Sequence, residues 1–477
     1  MNAGRIFRNF AALTLAQGFT MITGLVTVIV LARALGPEAY GVLGFGAAVL
    51  SYFGLATNFG MDAHGVREIS RDETKTGAVV GIVLTSRTCL AIVFFALLYL
   101  IATNVEMPVR TRSVLIIQGA GLFFVALNLE FAYQGLQRMT TMAVRQMTAG
   151  AFVVAATLLL ISNEDDLYIA AAIPIAANLL TAGALLIHFK TTGFRIKIAN
   201  QLSRYVEFLR RAAPVAIMGT LNTIYVNLDI IILGVMRSEQ EVGLYAAASR
   251  VFIMMLVISS VLHNAFLPAM SEVAENEAEK HHTANNYARI ICFVGGGVGV
   301  AGAIFSQPIL HILFGEAFIA ANLALAVLLL NAGLAYFTLA YGTPLLAWQS
   351  DRAYVKILMI GALVNLGLNL LLIPRFGIEG AAIATLITQA VVLAFLAFIV
   401  NAAHQVSHVK LIIKIVFVAI ACGIPLAAYD HLYGFVDPVA FVIGGFGFGV
   451  VYTGLSAKLK LIDLQHFRSI FAQQKKP

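Results

Sequence analysis

The chain has 477 residues, of which 60% are hydrophobic and only 12% charged. Soluble domains carry about 25% charged residues, so half that density excludes a water-facing globule of this size. A net charge of +7 with a mean hydropathy of +0.89 reads as short basic segments beside anionic lipid headgroups, not as a nucleic-acid surface.

Apolar runs of about 17–25 residues recur along the whole chain, the length that crosses a hydrocarbon core at 1.5 Å per residue. Lipid leaves no unpaired backbone group unpunished, so each run is read as a helix. The predicted helices cover 10–32, 41–61, 78–102, 113–134, 144–162, 167–189, 212–235, 243–268, 287–311, 319–347, 355–374, 380–400, 412–429 and 438–457. The fold class is therefore an all-α polytopic membrane protein of about 14 transmembrane helices. Met1 to Arg8 reads as a basic tail and not as a cleaved signal peptide. Cys89, Cys292 and Cys422 fall inside spans, with neither disulfide nor metal-ligand spacing.

An even number of spans puts both termini on one side. Loops on that side hold 24 of the 31 Lys and Arg residues, while the opposite loops hold five (Arg33, Arg110, Arg112, Arg237 and Arg375). Arg87 and Arg250 lie within spans. The positive-inside rule then places both termini in the cytoplasm of a cell inner membrane. The longest loops, 190–211 and 269–286, are cytoplasmic and too short to fold as domains. A polysaccharide polymerase or ligase would need a larger external loop. Nucleotide hydrolysis is excluded by the lack of a Walker-type loop; Gly295-Gly296-Gly297 is embedded in helix nine, where small residues permit close packing. The chain thus reads as a non-enzyme without a cofactor.

The two halves echo each other. Leu35-Gly36-Pro37-Glu38-Ala39-Tyr40-Gly41 joins helices one and two, while Leu233-Gly234 closes helix seven and Gly243-Leu244-Tyr245 opens helix eight. Glycine suits the end of one helix and proline the first turn of the next. Ala132-Tyr133-Gln134-Gly135 and Ala347-Trp348-Gln349-Ser350 close helices four and ten. Equivalent elements lie six helices apart, so the repeats run parallel, about an axis along the membrane normal. This divides the chain into an N-lobe (1–189), a cytoplasmic linker (190–211), a C-lobe (212–400) and two additional helices with a basic tail (401–477). Two lobes around a central cavity suit an alternating-access carrier.

The segment Leu31-Ala32-Arg33-Ala34-Leu35-Gly36-Pro37-Glu38-Ala39-Tyr40-Gly41 resembles the polysaccharide transporter branch of the multidrug/oligosaccharidyl-lipid/polysaccharide exporter superfamily. So do Gly65-Val66-Arg67-Glu68-Ile69-Ser70, Pro268-Ala269-Met270-Ser271, Leu313-Phe314-Gly315-Glu316-Ala317-Phe318 and Ile373-Pro374-Arg375-Phe376-Gly377-Ile378-Glu379-Gly380. These landmarks extend from helix one to helix twelve. The resemblance implies a Wzx-type flippase that moves an undecaprenyl-diphosphate-linked oligosaccharide to the outer leaflet for O-antigen, capsule or exopolysaccharide assembly. Its implied partners are that substrate, the bilayer and other membrane proteins of polysaccharide assembly, with no nucleic acid. The alternative on the same architecture is an ion-coupled drug or cation antiporter.

Such a substrate calls for cationic groups facing its diphosphate, polar groups facing its glycan and an apolar flank for its tail. A charge inside the bilayer costs at least about 2.5–3.5 kcal/mol, so the few intramembrane charges are candidates by default. Arg87, Arg250 and Arg33 are the cationic candidates, because a guanidinium forks onto phosphate oxygens. Asn222, Asn227 and Asn365 are candidate cavity residues. Asp229, at a depth matching Arg250, and Glu130, within reach of Arg87, either pair with those arginines or couple transport to a proton or sodium gradient. Asp62 and Glu38 read as solvated residues at the interfaces. His263 and His311 have no partner at metal-ligand spacing.

Overall fold

The computed structural model describes residues 3–348, 351–433 and 438–462; the side chains of residues 220–226, Asn222 among them, lie outside the described set. The described residues form helices and no strand. In chain order these are α1 (Ala3–Asn58), α2 (Met61–Arg71), α3 (Thr76–Asn104), α4 (Val109–Gly119), α5 (Gly121–Ala126), α6 (Glu130–Gly135), α7 (Met139–Leu160) and α8 (Leu167–Thr191). They continue as α9 (Leu202–Met236), α10 (Glu239–Glu272), α11 (Glu277–Ile304), α12 (Ser306–Phe314), α13 (Asn322–Ala347), α14 (Asp351–His404), α15 (Val409–Tyr433) and α16 (Pro438–Lys458).

Among the described residues, 11 helical segments are long and apolar enough to cross a membrane. Two of them, Thr14–Arg71 and Ala353–His404, run to 58 and 52 residues, far beyond the ~20 that one crossing needs. Each is broken by a glycine in backbone space that other residues avoid: Gly36 at φ 71, ψ 173 and Gly377 at φ 57, ψ −130. Only the missing Cβ makes those angles accessible without strain. Pro37 follows the first break and supplies the fixed φ of a new helix start. Asn227–Met236 is a further apolar stretch, on α9. The chain is thus a multi-pass helical membrane protein with about fourteen crossings, as its run lengths predict.

The chain divides into two compact units, Met1–Gly243 and Leu244–Pro477. In the first, helix α2 is clamped in place by close approaches. Phe59 (φ 45) and Gly60 (φ 71) turn the chain out of α1; a Cβ on Gly65 would overlap the Phe131 ring, and one on Gly135 would overlap Ile69. The segment expected as a loop over 190–211 is shorter, since α8 runs to Thr191 and α9 begins at Leu202. Its irregular part lies on α3: the Lys197 amide donates to the Gly77 carbonyl at 2.9 Å, and Gly81 leaves room for the Lys197 carbonyl. Phe194 stacks on Phe189 at 5.5 Å, with the Arg138 guanidinium 5.9 Å from its ring.

In the second unit, α11 and α13 cross at glycines. Gly295 and Gly299 face Gly333: a Cβ on Gly333 would meet the Gly295 carbonyl oxygen at 2.9 Å, and one on Gly295 would meet the Tyr336 Cβ at 2.5 Å. His263, a lone histidine in α10, shares a 2.8 Å hydrogen bond with Thr343, which also meets the Tyr287 hydroxyl at 3.0 Å. No group of metal-ligating side chains occurs among the described residues.

His408, between α14 and α15, is 2% exposed and its amide donates to the Tyr341 hydroxyl at 2.9 Å. Burial pushes the imidazole down from 6.5 to about 4. The folded state therefore holds it neutral where the unfolded chain binds a proton. Stability from this group is complete above about pH 6.5 and is lost as pH falls towards 4, by an amount of order 3 kcal/mol. Thermal unfolding in detergent should show Tm falling between pH 6.5 and 4.5 in the native chain. The fall should be shallower in His408→Asn; equal slopes in the two proteins would refute the assignment.

Candidate functional site

Arg87 lies on α3, and its side chain is 1% exposed. An isolated guanidinium at such a place in lipid is untenable, and two interruptions of neighbouring helices supply its partners. The first is the junction from α1 to α2. There Asp62 meets the Arg87 guanidinium at 2.5 Å, and the Asn58 side-chain carbonyl accepts a second, short hydrogen bond from it. Asn58 in turn donates to the Asp62 carboxylate at 3.0 Å, so the two acceptors are held together.

The second interruption separates α5 from α6. The helix lets go at Asn128 and Leu129, and the freed Asn128 carbonyl accepts from Arg87 at 3.3 Å. The Asn128 side chain stabilises the break by accepting from the Glu130 amide at 2.9 Å. Its amide nitrogen also donates to the Glu130 carboxylate at 3.3 Å. Asparagine does this well because its short side chain competes for backbone partners nearby. Phe131, one residue further on, sets its ring 5.3 Å from the Arg87 guanidinium carbon.

Glu130 does not pair with Arg87, contrary to expectation. Emerging at the start of α6, it forms an ion pair with Arg145 of α7. Arg145 also reaches the Thr181 hydroxyl of α8 at 3.4 Å. Nor is Asp62 merely a solvated interfacial acid, since α2 turns back far enough to bring it under Arg87. The outcome is a continuous network of two cations and two anions, linked through Asn128 and spread over α2, α3, α6 and α7. The Nε atoms of Arg87 and Arg145 are buried without a hydrogen-bond partner among the described residues. Asp62 is 49% exposed and Glu130 24%, so the anionic side of the network is the accessible one. Chemically, this is a place where an anion can compete with a carboxylate for a guanidinium.

The other candidates fall elsewhere. Asp229, on α9, is 5% exposed and its charge acts on Tyr52 of α1; Asn227, a half-turn away, is half-buried. Arg33 is exposed near the end of the first arm of α1, and Arg250 is exposed on α10 in the second unit. Asn365, also in the second unit, is 1% exposed and accepts from Asn369 at 3.0 Å. Asn222 lies outside the described side chains. Asp62, Asn58, Asn128 and Arg145 were not anticipated. An asparagine inside an apolar run was the available signal for the break at 128.

The second unit also carries an apolar cavity of about 420 Å³ between α10, α11, α12 and α16. Met255, Phe293, Phe305, Phe448 and Tyr452 line it, with Gly297 and Gly449 leaving its walls thin. Tyr452 stacks against Phe293 at 4.7 Å and donates its hydroxyl to the Phe293 carbonyl at 2.8 Å. That bond turns the Tyr452 hydroxyl away from the cavity and leaves Thr453 as a polar residue of its lining.

Comparison with known proteins adds the relationship. Over 398 residues the chain is 23% identical to a protein named "Putative O-antigen transporter" from Escherichia coli (strain K12), covering 81% of this chain and 94% of that one. Its fold matches the solved structure of the lipid II flippase MurJ in an inward closed conformation with a TM-score of 0.77, at 15% identity and over 94% of this chain and 99% of that one. It also matches an inward-facing multidrug resistance MATE family transporter of the MOP superfamily, with a TM-score of 0.63, 14% identity and coverage of 84% and 99%. The family model described as "Polysaccharide biosynthesis protein" matches residues 6–274, more than half of the chain. The chain belongs to the polysaccharide biosynthesis protein family.

Proposed function

We propose that this protein is a flippase that carries a polyprenyl-diphosphate-linked oligosaccharide, of the undecaprenyl type, across the inner membrane by alternating access. The observation that carries the reading is the pairing of two chemistries in one membrane chain. One is an intramembrane guanidinium network whose carboxylates an anion can displace; the other is a separate cavity with almost wholly apolar walls. A diphosphate fits the first and a polyprenyl tail the second. The flippase reading also agrees with what the O-antigen relative's name says of it.

In this reading the six-helix lobes 1–189 and 212–400, with the linker 190–211 between them, are the moving bodies. Arg87 and Arg250, with Arg33, attract the diphosphate, while Asn222, Asn227 and Asn365 meet glycan hydroxyls. Asp229 is the coupling carboxylate, binding a proton or sodium ion. Both termini face the cytoplasm, and substrate enters from that side. No bond is made or broken, so no enzymatic activity is assigned.

A strain of the native host lacking the chain should lose its surface polysaccharide and accumulate lipid-linked oligosaccharide. Retention of surface polysaccharide, with no accumulation, would argue against the proposal. In the same assay Asp229→Asn should export independently of the ion gradient or fail to export. Unchanged gradient dependence would remove Asp229 from coupling.

A further inference from the structure

Trp348, the chain's single tryptophan, caps α13 in the second unit and is 9% exposed. Two side chains flank its ring. His404, at the end of α14, stands edge-on at 4.6 Å, and the ammonium of Lys280, from the first turn of α11, lies 5.4 Å from the ring centroid. Indole has one polar atom, a donor. Here that Nε1–H is buried with no acceptor among the described residues. A buried donor left unpaired gives up its hydration without return, and a tryptophan at a membrane interface ordinarily turns this N–H to water or a headgroup. Lys280 and His404 have further partners, so the demand for an acceptor comes from Trp348 itself.

A second orphan lies along the same side of α13. Tyr341, two turns before Trp348 and so about 10 Å along the axis, meets the His408 ring at 5.2 Å. The Nε2 atom of this buried histidine also has no partner among the described residues. Directly after His408, Val409, Ile413 and Phe417 form an exposed apolar row on α15, with Lys410 and Lys414 exposed beside it. The charge asymmetry of the loops assigns this end of the helices to the cytoplasm. A ligand that meets every demand accepts from the indole, is negative opposite Lys280 and continues as a long apolar chain. An anionic phospholipid does all three. Its phosphate accepts from Trp348 beside Lys280, its ester carbonyls accept from the neutral His408 ring, and an acyl chain follows the apolar row.

We infer that Lys280, Trp348 and His408 form a binding site for the phosphate-bearing headgroup of an anionic phospholipid of the inner leaflet. This lipid is resident, not transported. The site lies wholly in the second unit, apart from Arg87 and from the lining of the apolar cavity, and it stands independently of the flippase reading.

The lone tryptophan lets the native chain report on its own site. The protein is reconstituted in phosphatidylcholine vesicles that contain a rising fraction of phosphatidylglycerol brominated on its acyl chains. A parallel series carries phosphatidylcholine brominated in the same way. Bromine quenches only a neighbouring indole, so the phosphatidylglycerol should half-quench Trp348 at a mole fraction about tenfold lower than the phosphatidylcholine, the preference expected of one charge-assisted hydrogen bond. Lys280→Gln should erase that preference, Lys280→Arg should retain it, and His408→Phe should weaken it severalfold. If Lys280→Gln fails to fold, the native comparison and His408→Phe decide the matter. Equal quenching by the two lipids, or a preference that survives Lys280→Gln, would overturn the site. Inorganic phosphate at matched ionic strength should leave the quenching unchanged; competition by it would assign the site to free phosphate and overturn the lipid assignment. The Arg87→Met/Asp62→Asn variant should keep the native preference, so failure of the lipid site and failure of the flippase reading are told apart.

Discussion

Replacing Arg87 with alanine is expected to abolish glycan export and to reduce the amount of folded protein in the membrane. The substitution strands Asp62, Asn58 and the Asn128 carbonyl, all of which the guanidinium now satisfies. Breaking a fully buried ion pair from one side costs about 3–5 kcal/mol; Asp62 is half-exposed, so the loss here is smaller but still a share of a total stability near 5–15 kcal/mol. Loss of export alone would therefore not separate a substrate role from a scaffolding role. The double variant Arg87→Met/Asp62→Asn does separate them, because it removes the stranded charge and keeps the volume. Folded yield, read by fluorescence-detected gel filtration, should recover in the double variant while export stays lost. Recovery of both would make Arg87 a brace for α2 and α6; normal export in Arg87→Ala would remove it from the site. Arg250→Ala, at an exposed position, should lose export without loss of yield.

Filling the apolar cavity of the second unit should be nearly as damaging and structurally silent. A Cβ at Gly449 meets nothing within 4 Å, and Gly449 lines the cavity. Gly449→Trp therefore starts from an unobstructed Cβ and directs its ring into that space. Each methylene kept out of an apolar site forfeits about 0.8 kcal/mol, so excluding two of them weakens binding about tenfold. Export should fall by at least that factor with the folded yield unchanged. Gly447→Trp, exposed on the same helix and outside the cavity lining, is the control and should export normally. Equal export from both variants would mean that the tail does not use this cavity.

The membrane-spanning architecture is legible in composition and run length because the hydrocarbon core imposes one length on every crossing. The breaks at Gly36 and Gly377 are legible too, since Gly-Pro and Pro-Arg-Phe-Gly mark helix ends in any solvent. The charged network was only half legible. Arg87 and Glu130 stand out as charges in apolar runs, but their partners do not. Asp62 lies beyond the end of its predicted span, and it reaches Arg87 only because Phe59 and Gly60 turn α2 back. Arg145 lies in the second turn of α7, whose neighbour cannot be read from chain order. The break at Asn128 carries neither glycine nor proline, so only the asparagine hints at it. Such pairings depend on tertiary packing, and local propensity is silent about them. The linker looked like a loop because of its charge, whereas its second half continues α9 past the membrane boundary.

The most direct test is translocation itself. Purified protein is reconstituted into liposomes that carry a fluorescent undecaprenyl-diphosphate oligosaccharide in both leaflets. A membrane-impermeant glycosidase or quencher is then added outside. Protein-free liposomes should lose about half of the signal, the outer-leaflet share, and hold the rest. Liposomes with the native chain and an imposed ion gradient should lose nearly all of it, while the Arg87→Met/Asp62→Asn variant should stop near the protein-free level. A native protein that leaves the inner-leaflet signal intact, under proton and sodium gradients alike, would contradict a lipid-linked oligosaccharide flippase.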